Sequence, residues 1–194
     1  ASKVLKQRKG TINLEYSVFK SGAIDVYLGL QPRGGLPDLP KFGMQTKLSV
    51  GFDRVIYYGR GPFETYVDRK NSGYVGLFDY SIEQMNFPYI RPQENGNRTE
   101  VRWGRLSSSK GLAMWFTADE PLNFSVWPYS EVELINTTHH HLLKPHKEWT
   151  LNIDQKQMGV GGTDSWGTMP LEKYRIQPAA MGYRFSFWVG PTVR

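Results

Sequence analysis

Alternation of apolar and polar positions runs through most of the chain. In Ile24-Asp25-Val26-Tyr27-Leu28-Gly29-Leu30, the side chains of Ile24, Val26, Leu28 and Leu30 fall on one face, the period of two that a half-buried strand requires. Tyr183-Arg184-Phe185-Ser186-Phe187-Trp188-Val189 alternates in the same way. Arg54-Val55-Ile56-Tyr57-Tyr58 is β-branched and aromatic and stops at a Gly59-Arg60-Gly61-Pro62 turn. Residues 112–116, 122–127 and 149–153 read as further strands. Most of the 20 Gly and 12 Pro lie between these runs, where turn chemistry places them. Gln31-Pro32-Arg33-Gly34-Gly35-Leu36-Pro37 is a loop and not a linker, because strand patterning resumes soon after it. Ser130 and Glu133 have capping-box spacing ahead of Leu134-Ile135, which predicts one short helix. The pattern as a whole predicts an all-β fold of antiparallel sheets packed face to face.

Composition narrows the function classes. A chain of 194 residues with 39% hydrophobic and 22% charged positions builds a hydrophobic core and is not disordered. No apolar run approaches the roughly 20 residues of a membrane helix, so no membrane partner is expected. The start, Ala1-Ser2-Lys3-Val4-Leu5-Lys6, is basic without an apolar stretch behind it. With no cysteine, disulfides, thiolate metal sites and a cysteine nucleophile are excluded together. The net charge of +6 raises nucleic acid as a partner. Yet the basic residues concentrate at Lys3, Lys6, Arg8 and Lys9, which reads as a solvated segment over residues 1–14, and no nucleic-acid partner is expected. The 14% aromatic content, with 6 Trp and 11 Tyr, suits a β-rich core and equally a surface that stacks on sugars.

Four segments carry candidate chemistry. Met158-Gly159-Val160-Gly161-Gly162-Thr163-Asp164-Ser165-Trp166-Gly167 holds four glycines in ten residues, allowing a tight, non-repeating path that presents one indole. Indole suits a pyranose because the C–H face of the sugar packs on the ring while its hydroxyls stay wet. Composition alone favours the core for Trp166. Pro88-Tyr89-Ile90-Arg91-Pro92-Gln93-Glu94-Asn95-Gly96-Asn97-Arg98 is polar and turn-rich; Glu94 and Asn95 either line a polyol site or bond their own loop. Residues 58–69 lack the lysine and helix of a phosphate loop, and an Arg–carboxylate network of Arg60, Glu64, Asp68 and Arg69 is the expected use. His139-His140-His141, with His146 nearby, lies in what reads as an extended segment, where neighbours point to opposite faces. Without an evident acidic partner no metal site is expected there. Glycosidase pairs such as Glu64 with Asp68, or Glu94 with Glu100, can be drawn, but a retaining pair is defined by a separation of about 5–5.5 Å that no spacing in the sequence supplies, so no self-contained catalytic site is predicted.

Taken together, Tyr58-Gly59-Arg60-Gly61-Pro62 with Tyr66, Asp68 and Arg69, then Pro88 through Arg98, then Lys156-Gln157-Met158 through Gly167, resemble the last domain of large bacterial β-galactosidases of glycoside hydrolase family 2, often called the small-chain domain. Leu39-Pro40-Lys41-Phe42-Gly43-Met44 and Tyr183 to Phe187 fit as well, and the likeness covers residues 15–194. It implies an antiparallel β-supersandwich similar to galactose mutarotase, lacking its first strands in this chain. It implies a bacterial enzyme that hydrolyses terminal β-D-galactosides such as lactose with retention; the compartment, cytoplasm or periplasm, is left open by the sequence. Its acid/base and nucleophile sit on a separate TIM barrel, so this chain alone is expected to be inactive. Trp166 then becomes a substrate-stacking residue at the barrel mouth, with Asp164 and Ser165 shaping its loop, Gly161 and Gly162 supporting it and Glu94 and Asn95 bracing the same region. No catalytic residue, metal or cofactor comes from this chain; magnesium or sodium belongs to the rest of the enzyme. The partners implied are the barrel and other domains of one oligomeric enzyme and its β-galactoside substrate. Thr163 replaces the first Asp of the usual Gly-Gly-Asp-Asp-Ser-Trp, and Thr65 replaces Asn in Glu-Asn-Tyr. The chain is expected to be an excised fragment or a natural small subunit, with an unpaired edge inviting dimerisation. A free-standing carbohydrate-binding module and a mutarotase-like enzyme remain as alternatives.

Overall fold

The fold is described from a computed structural model covering residues 2–7, 9–49, 51–162, 164 and 166–192, with residues 2–7 described by backbone only. The strands are β1 (Ser2–Gln7), β2 (Gly10–Val18), β3 (Ile24–Pro32), β4 (Lys41–Ser49), β5 (Arg54–Gly61), β6 (Tyr74–Ser81), β7 (Arg98–Ser107), β8 (Leu112–Trp127), β9 (Glu148–Gln157) and β10 (Met181–Pro191). They pair in the order β1-β2-β3-β10-β8-β7-β5-β6, with β9 joining β8 and β4 lying beyond β9. Every one of these ladders is antiparallel. Within the basic segment, residues 2–7 and 10–14 are therefore sheet and not tail: Ser2 pairs with Glu15 and Gln7 with Gly10.

The second correction concerns residues 112–127, which the sequence divides in two. They form one strand that changes partners midway. Residues 112–117 pair with β10, and residues 123–127 pair with β9. Against β7 the register jumps from Trp103↔Thr117 to Val101↔Leu122, so the chain bulges between the halves. Pro121 sits in that bulge, where no ladder hydrogen bond is required of it. The turn-like Asp119-Glu120-Pro121 thus marks a corner at which one strand passes from one layer to the other.

The layers meet through the faces that alternation predicts. Val26 and Leu28 on β3, and Tyr183 and Phe185 on β10, are buried, with Ile24, Leu30 and Phe187 packed against the same cluster. Opposite them lie Phe42 of β4 and Leu151 and Ile153 of β9. Phe42 and Tyr183 meet edge-on at 5.7 Å, and the Tyr183 hydroxyl donates to the Ile153 carbonyl at 2.6 Å. At the other end Tyr57 stacks on Phe78 at 5.3 Å and meets Phe124 edge-on at 5.2 Å. The predicted helix is present as α1 (Glu131–Asn136): the Ser130 hydroxyl accepts from the Glu133 amide while the Glu133 carboxylate accepts from the Ser130 amide. Leu134 is its buried anchor. Among the described residues no helix is long and apolar enough to cross a membrane.

Candidate functional site

Where β9 ends, the glycine-rich loop is tied down at its start and projects at its tip. The Met158 amide donates to the Pro40 carbonyl and the Gly159 amide to the Tyr174 carbonyl, both at 2.9 Å. The Asp68 carboxylate accepts from the Gly161 amide at 2.7 Å. Gly162 lets the two arms touch, because a Cβ there would lie 2.2 Å from the Thr168 carbonyl oxygen. Beyond it, Asp164 gathers the turn: it accepts from the Trp166 amide at 2.8 Å, the Thr168 amide at 3.4 Å and the Thr168 hydroxyl at 2.5 Å. The Thr168 hydroxyl, followed by these amides, holds the Asp164 carboxyl below its usual range. Gly167 closes the turn at φ +94°, a conformation that favours glycine. Trp166 is 92% exposed, which excludes the core placement that composition favours. Thr163 and Ser165 lie outside the described residues.

Two further loops converge on this one. Glu64 accepts from Arg69, from the Tyr89 hydroxyl and from the Gly96 amide, the last at 2.7 Å, so residues 62–69 and 88–96 are locked together. Thr65 is fully buried. Its hydroxyl lies 3.0 Å from the Thr99 hydroxyl and accepts from the Thr99 amide at 3.0 Å. Asn95 is buried as a brace, accepting from the Phe87 amide at 3.1 Å and donating to the Gln93 carbonyl at 2.9 Å. Its own carbonyl accepts from the Trp127 indole at 2.8 Å.

Between these loops and α1 lies a cleft of about 440 Å³. Glu94 lines it, one carboxyl oxygen accepting from the buried Tyr66 hydroxyl at 3.3 Å. Glu94 is half-buried and meets the cleft. Burial pushes its pKa up to about 8, with Asp154 and Glu131 adding to the rise and Lys41 opposing it. Asp154, buried on β9, is likewise raised by burial to about 7, and Lys41 opposes this too. The Lys41 ammonium lies 3.0 Å from Glu131 and 5.1 Å above the Trp127 ring. The cleft is polar, and among the described residues the buried Lys41 ammonium has an ion-pair neighbour in Glu131 but no hydrogen-bond partner.

The family described as "Beta galactosidase small chain" matches residues 1–189. This chain belongs to that family. Among curated relatives, a β-galactosidase of Priestia megaterium is 33% identical over 176 residues, covering 91% of this chain and 17% of the relative. One from Lactobacillus delbrueckii subsp. bulgaricus is 38% identical over 160 residues, covering 82% and 16% respectively. The small-chain domain thus spans about a sixth of the length of these relatives. Among solved structures, a putative aldose 1-epimerase of Escherichia coli K12 shows a TM-score of 0.49 at 10% identity, covering 97% of this chain and 64% of that one.

In this small-chain domain the three motifs are brought into one face, with Asp68 joining the first to the third and Glu64 joining the first to the second. Trp166 stands outside the cleft; its neighbours Gly167 and Thr168 line it. Of the acids drawn as glycosidase pairs, Glu64 and Asp68 hold loops, and Glu100 pairs with Arg60 at 3.0 Å and Lys70 at 2.5 Å. The histidine segment is not extended: residues His140–Leu142 form a 3₁₀ turn. His146 does have an acidic partner, Glu133, at 2.5 Å. Among the described residues no three His, Asp or Glu side chains group as a metal site requires. Sequence reasoning missed Lys41, Glu131 and Asp154. A signal existed in Gly43, a glycine inside a strand, where a Cβ would lie 1.7 Å from the Asp154 carboxylate.

Proposed function

We propose that this chain is the non-catalytic C-terminal domain of a β-galactosidase, supplying an aromatic wall to the leaving-group side of an active site whose carboxylates lie on another domain. The observation that carries this reading is Trp166, 92% exposed at the tip of a loop that Asp164 and its glycines hold in a defined shape. An indole so placed has no folding role that explains its position; it meets its partner outside this domain. The apolar side chains of Ile135, Val160 and Met169 line the cleft and remain exposed, as a face covered by a neighbouring domain does. The family reaction on this reading is retaining hydrolysis of terminal β-D-galactosides such as lactose, through two carboxylates about 5–5.5 Å apart. Support for placing them elsewhere comes from Glu64, Asp68 and Glu100, each engaged in holding backbone or cations. Trp166 would stack on the C–H face of the sugar or aglycone, while Asp164 holds the turn that carries it. No metal or cofactor is assigned to this chain.

Two measurements test the reading. In the full-length enzyme, Trp166→Ala should raise KM about tenfold, equivalent to roughly 1.4 kcal/mol of lost contact, while thermal stability stays within about 0.5 kcal/mol. An unchanged KM rejects the wall. The purified chain should not hydrolyse an aryl β-galactoside; turnover that survives Trp166→Ala would place the chemistry within it.

A further inference from the structure

We infer that a second cleft, at the corner where β7 and β8 part, binds a diphosphate-type anion through Lys156, Lys173 and Arg175. This site is separate from the Trp166 surface, and neither role depends on the other.

The backbone opens the cleft. β7 is irregular between Arg98 and Val101, and residues 118–121 of β8 leave its ladder with β7. Thr99 and Glu100 from the first irregularity and Pro121 from the second line a cleft of about 330 Å³, within the range of small-molecule sites. Glu100 stands at φ +55°, a left-handed conformation that sterically penalises a residue with a Cβ. Backbone outliers of this kind cluster at ligand sites, and bulges re-aim the side chains beside them.

Charge selects the ligand. Lys70, Lys156, Lys173 and Arg175 line the cleft against one carboxylate, Glu100. That carboxylate is already shared between Arg60 at 3.0 Å and Lys70 at 2.5 Å. Arg175 donates through Nε to the Pro170 carbonyl at 2.6 Å, and the Asp38 carboxylate lies 3.8 Å from its guanidinium, too far for a hydrogen bond. Among the described residues Lys156 and Lys173 have no ion-pair partner; the Lys173 ammonium lies 4.8 Å over the Tyr174 ring.

The unspent groups are two ammoniums and the remaining guanidinium N–H groups, which only donate. Their complement is an acceptor that carries negative charge. β9 supplies Lys156, and the segment at the 3₁₀ turn Glu172–Tyr174 supplies Lys173 and Arg175. Three cations exceed what a monoanion can match, whereas two linked phosphoryl groups bring a comparable negative charge.

The test titrates pyrophosphate, ADP and citrate into the full-length protein containing this chain, in magnesium-free buffer at low ionic strength, read by calorimetry. Pyrophosphate should bind with Kd of roughly 0.1 mM. Lys156→Gln combined with Lys173→Gln should weaken it about tenfold. Lys20→Gln combined with Lys110→Gln removes the same charge from exposed positions outside the cleft and should leave Kd unchanged. Lys156 and Lys173 are exposed, so both double variants should keep the parent Tm. ADP binding as tightly as pyrophosphate assigns the site to an esterified diphosphate, and weaker ADP binding assigns it to the free anion. Absence of pyrophosphate binding, equal losses in the two double variants, or tighter binding of citrate overturns the inference. So does a lowered Tm in the Lys156 and Lys173 variant with no pyrophosphate bound, the result expected if an acidic surface of a neighbouring domain fills the cleft.

Discussion

At the scale of single residues, environment decides what a side chain is for. Two carboxylates of this face have opposite fates. Asp164, fully exposed, is held ionised by the hydroxyl and amides it collects, whereas Glu94 is driven towards its neutral form by burial. The second case predicts a pH dependence with a definite sign. Glu94 rises from the ordinary 4.5 to about 8 on folding, so between those values the folded state holds a proton that the unfolded chain has released. Its contribution to stability is complete below pH 4.5 and is lost as pH rises through 8. The slope is about 1 kcal/mol per pH unit for each such group. Asp154, raised from 3.8 to about 7, acts in the same direction over its own window. Chemical denaturation between pH 5 and 9 should show parent stability falling, and Glu94→Gln should fall less steeply and exceed the parent at pH 9. A parallel pair of curves would show that Glu94 titrates as it does in water.

At the scale of elements, the glycine-rich loop depends on close approach more than on side-chain contacts. Gly162 is the point of closest approach, facing the Thr168 carbonyl oxygen at a distance no Cβ tolerates. Gly162→Ala should therefore open the turn that Asp164 closes, raising KM in the full-length enzyme towards the Trp166→Ala value while Tm changes little, because the loop is exposed. Unaltered kinetics would mean that loop shape does not position Trp166. Strand β8 gives the complementary lesson. Its proline does not end the strand, because the corner between layers needs no ladder bond at that position.

At the scale of the whole molecule, the two layers are held by an aromatic interior in which Phe124 is fully buried between Tyr57 and Phe116. Phe124→Ala should cost about 3–5 kcal/mol, measurable by denaturant titration, and a loss below about 1 kcal/mol would contradict this packing. The same fold places three loops from distant parts of the chain side by side. Glu64 and Gly96 are 32 residues apart, and Asp68 and Gly161 are 93 apart.

Local physics made several features readable from the sequence. The inward faces of β3 and β10 follow from period-two alternation, the start of α1 from the Ser130–Glu133 capping box, and the looped character of residues 158–167 from glycine, because each depends on residues a few positions apart. The long motifs likewise marked which three segments matter. What only the tertiary structure decided depends on partners far apart in the chain: whether Trp166 is buried or exposed, the continuity of β8 across its corner, and the enclosure of Glu94 and Asp154 around Lys41. Burial and electrostatics are sums over neighbours in space, and those neighbours are set by the packing of the layers.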